Sequence, residues 1–202
     1  MNSGIKRLIV IILSSLVITG CGLQSIPQAK NDVDATFAEI NNQYKRRSDL
    51  IPNLVATVQG YAGHEKGTLT AVIEARAKAT SVTIDPSNMS AQKLAEFQKA
   101  QGSLSQALGR LMVVAENYPQ LKADRNFSEL QAQLEGTENR ITVARNRHIE
   151  AIKLFNNQVT VPFTSWTNAI MYHYSPMPQW TVDESEIKAI QAAPKVDFGT
   201  KK

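Results

Sequence analysis

Apolar side chains recur along this chain at alternating intervals of three and four residues, the spacing of one face of a long helix. The first such face begins near Asn31. It consists of Val33, Phe37, Ile40, Tyr44, Arg47, Ile51, Leu54, Val58 and Tyr61. The face passes Pro52 without losing phase, which predicts one kinked helix, with the carbonyl of Ser48 freed, rather than two separate helices. The pattern extends to Arg76, so this helix is predicted to end near Thr80.

Two further faces with the same spacing predict a second and a third long helix. Turn residues fill positions 81–90, and Ser90 is a candidate N-cap for the second helix. The second face consists of Leu94, Phe97, Gln101, Leu104, Leu108, Leu111, Ala115 and Tyr118, with Pro119 after it. The third face consists of Phe127, Leu130, Leu134, Thr137, Ile141, Ala144, His148, Ile152, Phe155 and Val159.

Residues 163–174 are predicted to form a short fourth helix, because Phe163, Trp166 and Ile170 fall on one side of it. The strict alternation that is typical of strands is not found in the sequence. The predicted fold class is therefore all-α, an elongated antiparallel bundle of three long helices and a short fourth. Residues 175–202 contain prolines and an acidic cluster, which predict a flexible tail.

The N-terminus has the pattern of a bacterial lipoprotein signal. Lys6 and Arg7 form a charged region, residues 8–18 an apolar run, and Gly20 a small residue before Cys21. The run is about half of the ~20 residues that a helix needs to cross a bilayer, so a permanent transmembrane anchor is the weaker interpretation. We predict cleavage between Gly20 and Cys21 and lipidation of the Cys21 thiol.

Cys21 is the only cysteine of the chain, which excludes a disulfide within one chain. The alternative to lipidation is a small, buried apolar residue. Lipidation fits the flanking residues and caps a thiol that would be solitary in an oxidising compartment. The predicted division is a signal peptide at 1–20, a lipidated tether at 21–30, a helical bundle at 31–174 and the tail at 175–202.

Composition and charge exclude two further classes of protein, polytopic membrane proteins and nucleic-acid-binding proteins. Hydrophobic residues make up 43% of the chain, too few for a polytopic membrane protein. The formal charge is +4, from 22 basic and 18 acidic side chains, and removal of Lys6 and Arg7 would lower it to +2. Basic and acidic side chains are interleaved, without the basic blocks of nucleic-acid-binding proteins. We therefore predict no nucleic-acid partner.

Six short motifs of this sequence, taken together, are specific enough to indicate a protein family. They are Tyr44-Lys-Arg-Arg-Ser-Asp-Leu-Ile-Pro-Asn-Leu-Val55, Gly60-Tyr-Ala-Gly-His-Glu65, Glu74-Ala-Arg-Ala77, Glu116-Asn-Tyr-Pro-Gln-Leu-Lys-Ala123, Asn126-Phe127 and Leu134-Glu-Gly-Thr-Glu-Asn-Arg-Ile141. Together they resemble the LemA family of bacterial envelope proteins, over roughly residues 32–170. The resemblance implies a helical bundle held at a membrane, with no established enzymatic activity and no agreed biochemical function.

The chain departs from this family pattern in two places. Members commonly have an apolar N-terminal anchor without a lipid-accepting cysteine, so the prediction of lipidation depends on Cys21 and its flanks. Near the end of the third predicted helix, Arg147-His148-Ile149 stands where the family tends to have Arg-Tyr-Asn.

Motifs for catalysis or metal binding are incomplete in this sequence. His64-Glu65 begins a zincin motif, but Thr68 stands where the second histidine is required. His148 and His173 lie on other predicted elements, without a set of cysteine or acidic ligands. No phosphate-binding glycine loop or nucleophile elbow is found. We predict that the chain is not an enzyme and has no cofactor and no metal.

Arg47 is the sharpest candidate site, because it occupies the apolar face of the first helix. Glu138, beside Thr137 on the third helix, is its candidate partner. One interpretation is a structural ion pair or a cation at the bundle edge, which fixes helix register. The other is a cation that binds a ligand carboxylate or phosphate. A cleft lined by both residues and large enough for a ligand would favour a ligand-binding or enzymatic function, and a dry, filled bundle would favour a scaffold.

The sequence thus predicts an envelope lipoprotein, anchored in membrane lipid through acylated Cys21, that acts as an interaction or scaffold module for an envelope protein. The alternative is a small-ligand-binding or enzymatic bundle that uses Arg47 and Glu138. Gly22 follows the cysteine, which favours the outer membrane facing the periplasm in a Gram-negative host. In another host the outer face of the plasma membrane is expected.

The aromatic stretch from Trp166 to Trp180 either rests on lipid headgroups or a partner, or caps the bundle.

Overall fold

The computed structural model describes residues 3–86 and 89–180, with side chains from residue 23 onward. Regular structure in these residues is helical throughout, which confirms the all-α prediction. The elements are α1 Ser3–Tyr61, α2 Lys66–Ser81, α3 Ala91–Ala115, α4 Pro119–Lys122, α5 Arg125–Thr160 and α6 Thr164–Thr167, followed by a π-helical turn at Asn168–Tyr172. The long helices pack together as a bundle.

The antiparallel pair of α1 and α5 runs the length of this bundle. Ser25 donates a hydrogen bond to Gln158 at one end, which we name the basal end. Tyr61 donates to Asp124 at the other, the distal end. The α2–α3 hairpin packs against α1 toward the distal end, and α6 packs against α1 and α5 at the basal end.

Three apolar clusters follow one another along α1. The distal cluster is built around Ile51, Leu54 and Val58 with residues of α2, α3 and α5. The middle cluster contains Phe37, Ile40, Tyr44, Ile84, Leu94, Phe97, Ile141 and Ala144. The basal cluster contains Ile26, Val33, Ala151, Ile152, Phe155 and Val159. The predicted face of α1 from Val33 to Val58 is buried along its whole length, as its spacing requires.

The prediction that the first helix continues to about Thr80 is wrong. The helix ends at Tyr61, and α2 begins at Lys66 and returns alongside α1. Gly60 lies in the last turn of α1 and Gly63 lies within the break, and glycine weakens a helix by about 1 kcal/mol relative to alanine. The spacing of apolar residues is the same on both sides of this turn, so periodicity alone does not reveal it. The fourth long helix of the bundle is therefore α2, whereas residues 163–174 form only one α-helical turn and a π-helical turn.

The predicted tether and tail also differ from the structure in their described parts. Residues 21–30 continue α1, and Ile26 is fully buried in the basal cluster. After the π-helical turn, the Asn156 side chain donates to the Met177 carbonyl at 2.9 Å and accepts from its N–H at 2.8 Å. Residues 181–202 lie outside the described residues, and the division of the chain into domains stays a prediction.

The N-termini of α3 and α5 are both capped by side chains, and the cap of α3 is the one that the sequence predicts. The Ser90 hydroxyl accepts a hydrogen bond from the Lys93 N–H at 3.2 Å, which confirms the predicted N-cap. Asp124 caps α5 in the same way, accepting from the Phe127 N–H at 2.9 Å. This hydrogen bond lowers the pKa of the Asp124 carboxyl, and so does the one from Tyr61.

Pro52 lies inside α1, and the helix continues through it as predicted. A proline has no N–H, so the carbonyl four residues earlier loses its helical donor. The carbonyl concerned belongs to Ser48, a buried residue. The Nε–H of Arg76 on α2 donates to this carbonyl at 2.9 Å. The proline is tolerated because another helix supplies the missing hydrogen bond.

Pro27 is accommodated by the same device at the basal end of α1. The carbonyl that it frees belongs to Leu23. The Tyr172 hydroxyl in the π-helical turn donates to that carbonyl at 2.7 Å. Each proline of α1 thus creates an acceptor that binds a separate element to this helix.

Replacing Arg76 with methionine should lower the free energy of unfolding by about 1–2 kcal/mol, because the buried Ser48 carbonyl loses its donor. In a Pro52→Ala background, alanine supplies a helical N–H to that carbonyl, and the same replacement should cost less than half as much. Urea denaturation of the four chains measures the coupling as a double-mutant cycle. Equal losses in both backgrounds would show that Arg76 does not act through this carbonyl.

Candidate functional site

The Arg47 guanidinium lies between α1, α3 and α5 and is 2% exposed. Its Nη1 donates to the Ser105 hydroxyl at 2.8 Å and to the Glu138 carboxylate at 2.9 Å. Its Nη2 donates to the side-chain oxygen of Gln101 at 2.7 Å and to the Gln101 carbonyl at 3.3 Å. The Tyr44 ring faces the guanidinium carbon, with its centroid 5.1 Å away. The structure therefore brings together the two predicted residues, Arg47 and Glu138, within a larger polar cluster.

Gln101, Ser105 and Tyr44 belong to this cluster without having been assigned to it from the sequence, and of the three Gln101 makes the most hydrogen bonds with Arg47. Besides accepting from Arg47, its side-chain nitrogen donates to the Ala79 carbonyl in the last turn of α2 at 3.2 Å. The signal was present in the sequence, because Gln101 is a polar residue on the apolar face of α3, as Arg47 is on α1. Two polar residues on facing apolar surfaces indicate a shared hydrogen-bond network.

The two ends of the Arg47–Glu138 ion pair differ in their exposure to solvent. The Glu138 side chain is 52% exposed, so water screens its attraction to the guanidinium. Gln101 is buried, and its oxygen would lack a donor without Arg47. The neutral acceptors therefore contribute more to the stability of the fold than the carboxylate does.

A cleft of about 490 Å³ opens beside this cluster. Both Arg47 and Glu138 line it, together with Lys99, Arg145 and Trp180. Within the part of the chain that the structure describes, Lys99 and Arg145 have no ion-pair partner at salt-bridge distance. The cleft has three cations and one carboxylate among these residues, which suits an anionic group. Its volume lies in the range of small-molecule sites.

His148 lies on the buried face of α5, between the middle and basal clusters. Its Nδ1 is 3.0 Å from the Thr36 hydroxyl, and the rings of Phe37 and Trp180 lie 5.4 and 6.4 Å from its own. Burial lowers the pKa of His148 to about 4, although contacts with the Val33 backbone and the Asp34 carboxylate oppose the shift. The ring is therefore neutral near pH 7. Among the described residues, no three His, Cys, Asp or Glu side chains are grouped as a metal site requires.

Gly20 and Cys21, the predicted cleavage and lipidation residues, are helical in backbone, and the Cys21 side chain lies outside the described part of the structure. Within the residues that the structure describes, no helix combines the length and the apolar character needed to cross a bilayer.

The model of the LemA family matches residues 36–198, most of the chain. The chain belongs to the LemA family. It is similar to Protein LemA of Metamycoplasma hominis, with 21% identity over 169 residues that cover 79% of this chain and 72% of that protein. Membership indicates an envelope-associated protein, in a family that is not known as an enzyme family. The family match includes most of the stretch 175–202 that was predicted as a tail.

Replacing Arg47 with alanine should lower the free energy of unfolding by about 1–3 kcal/mol, because buried Gln101 and Ser105 lose a shared donor. The matched variant Glu138→Gln should cost less than about 1 kcal/mol, since the carboxylate is half exposed. Thermal denaturation of both variants measures the difference. An unchanged midpoint in Arg47→Ala would contradict the structural role and favour a role in binding a ligand.

Proposed function

We propose that this LemA-family chain is an envelope lipoprotein, anchored through acylated Cys21, whose bundle is an interaction module at the membrane surface. The observation that carries the proposal is that α1 runs without a break from Cys21, where the proposed lipoprotein begins, to Tyr61. Cys21 lies in this helix only five residues before Ile26, the first buried residue of the basal cluster. A lipid on Cys21 would therefore hold the bundle directly on the bilayer, without a flexible tether.

The cleft beside Arg47 is the proposed recognition surface. The guanidinium cross-links α1, α3 and α5, so the walls of the cleft are held in place before a partner arrives. Such preorganisation reduces the entropy that binding costs. Lys99 and Arg145 give the cleft a positive rim. An acidic segment of an envelope protein is the partner that fits this surface best.

The location of the module follows from the residue after the lipidated cysteine. Gly22 stands at this position, where aspartate would favour retention at the inner membrane. We therefore place the anchored chain in the outer membrane facing the periplasm in a Gram-negative host. In a host with a single membrane, the place is its outer face.

Lipidation is tested by metabolic labelling with an alkyne analogue of palmitate. The wild-type chain should incorporate the label and Cys21→Ser should not, because serine has no thiol to form the thioether. Gly22→Ala, which keeps the thiol, is the matched control and should be labelled. Circular dichroism should show the same helical content in all three chains. Equal labelling of the wild type and Cys21→Ser, or none in either, would overturn the lipid anchor.

A second candidate function is the binding of a small anion in the same cleft, favoured by its volume of about 490 Å³. Calorimetric titration with a synthetic acidic peptide and with inorganic phosphate separates the two functions. We expect the peptide to bind, and the double variant Lys99→Gln/Arg145→Gln to weaken it about five-fold, since exposed charge pairs contribute up to ~1 kcal/mol.

The outcomes of this titration are distinct. Binding of phosphate but not of the peptide, with the same loss in the double variant, would support the small-ligand function instead. Binding of neither would exclude the cleft as the recognition surface. Lys66→Gln, which removes a cation at the start of α2, is the matched control and should bind as the wild type does.

A further inference from the structure

The basal part of the α1–α5 pair contains no charged side chains on either helix. No Asp, Glu, Lys or Arg occurs in residues 8–29 or 154–182. The residues that bound these stretches are Lys30 on α1 and Lys153 on α5. Ser25 pairs with Gln158 in an antiparallel arrangement, so positions 30 and 153 lie opposite each other. The basal end of the bundle below this level is therefore uncharged on both helices.

This uncharged end exposes large apolar side chains. Phe163, Trp166, Ile170 and Met171, which we name the basal patch, are each more than half exposed. The rings of Phe163 and Trp166 are in contact, with their centroids 5.5 Å apart. Exposed apolar groups that cluster in this way mark an interaction site rather than ordinary surface.

The basal patch lies where the chain reaches the predicted anchor. The Tyr172 hydroxyl, in the π-helical turn that carries Ile170 and Met171, donates to the Leu23 carbonyl at 2.7 Å. Cys21 precedes Leu23 by two residues, about 3 Å of helix. In the proposed lipoprotein, residues 1–20 are removed and Cys21 carries the lipid. A bilayer that holds this part of the chain is therefore the apolar phase nearest to the patch.

The backbone of Phe163 supports a specific role for this segment. Its φ is 73° and its ψ is −57°, a conformation that a bulky L-residue rarely adopts. The side chain held in this strained conformation is exposed rather than packed in the core. Strain of this kind persists mainly at functional sites.

We propose that the basal patch inserts into the headgroup region of the bilayer that holds the anchor, an inference that rests on the proposed membrane anchoring. Trp and Tyr side chains favour this region. The uncharged part of α1 from Leu23 to Lys30 is about 10 Å long, which matches the 5–10 Å to which interfacial elements are buried. Lys30, which pairs with Asp34 at 2.6 Å, and Lys153, which pairs with Glu150 at 3.5 Å, then lie at the upper border of the buried part, where charged side chains begin.

Fluorescence quenching tests this contact with the full acylated chain in phosphatidylcholine–phosphatidylglycerol vesicles whose acyl chains carry bromine. Trp180→Phe leaves Trp166 as the only tryptophan, and Trp166→Phe leaves Trp180, whose ring packs on Phe97 and His148. Brominated lipid should lower the emission of Trp166 about two-fold and leave that of Trp180 nearly unchanged, because only Trp166 lies at the interface.

Vesicle flotation separates this inference from the proposed anchoring. A chain that floats with the vesicles while Trp166 is not quenched overturns the insertion of the patch and leaves the anchor intact. Equal quenching of both tryptophans also overturns it. A chain that does not float overturns both proposals.

A charged substitution gives an independent measurement. Ile170 is 78% exposed, so Ile170→Glu should keep the thermal midpoint of the chain and abolish the quenching of Trp166. Val113, 68% exposed on α3 and remote from the basal end, provides the matched control. Val113→Glu should leave the quenching as it is in the parent chain. Quenching that survives Ile170→Glu would show that the patch does not face the lipid.

Discussion

The bundle depends on an α1 that remains one helix through two prolines. A proline inside a helix leaves a carbonyl without a donor, and a buried carbonyl in that state destabilises the fold. Here Arg76 and Tyr172 supply the donors from elements far along the chain. The same hydrogen bonds fix α2 and the π-helical turn to α1. The three apolar clusters follow one another along α1 because this single helix passes through all of them.

The polar cluster around Arg47 both stabilises the fold and forms part of the surface of the cleft. The guanidinium lies between the distal and middle clusters and binds α1 to α3 through neutral acceptors on one side. On the other side, its carboxylate partner Glu138 faces solvent at the mouth of the cleft. A cleft built around a buried cation therefore has a fixed shape, and its specificity for a partner depends on the side chains at its rim.

The sequence predicted the buried faces of the long helices because the intervals between apolar residues along the chain determine which side of a helix is apolar. It also predicted Glu138 as the partner of Arg47 if the first and third predicted helices are neighbours, because Arg47 departs from the apolar pattern of one helix and Glu138 lies beside Thr137 on the face of the other. It did not predict the turn between α1 and α2, because the spacing on both sides is the same. The burial of Ile26 was missed for a different reason. A short uncharged stretch resembles a linker until the partner surface on α5 is known.

The continuity of α1 also fixes the distance between the basal end of the bundle and the cleft beside Arg47. From Leu23 to Arg47 the helix rises about 36 Å, at 1.5 Å per residue. Pro27 lies within this span and does not interrupt the helix, so the span is a stiff spacer rather than a variable one. If the basal end rests on a bilayer, the cleft stands at a constant distance above it, beyond the reach of lipid headgroups. A binding partner must then extend several nanometres from its own membrane or diffuse freely, and one confined to the bilayer surface would never meet the cleft.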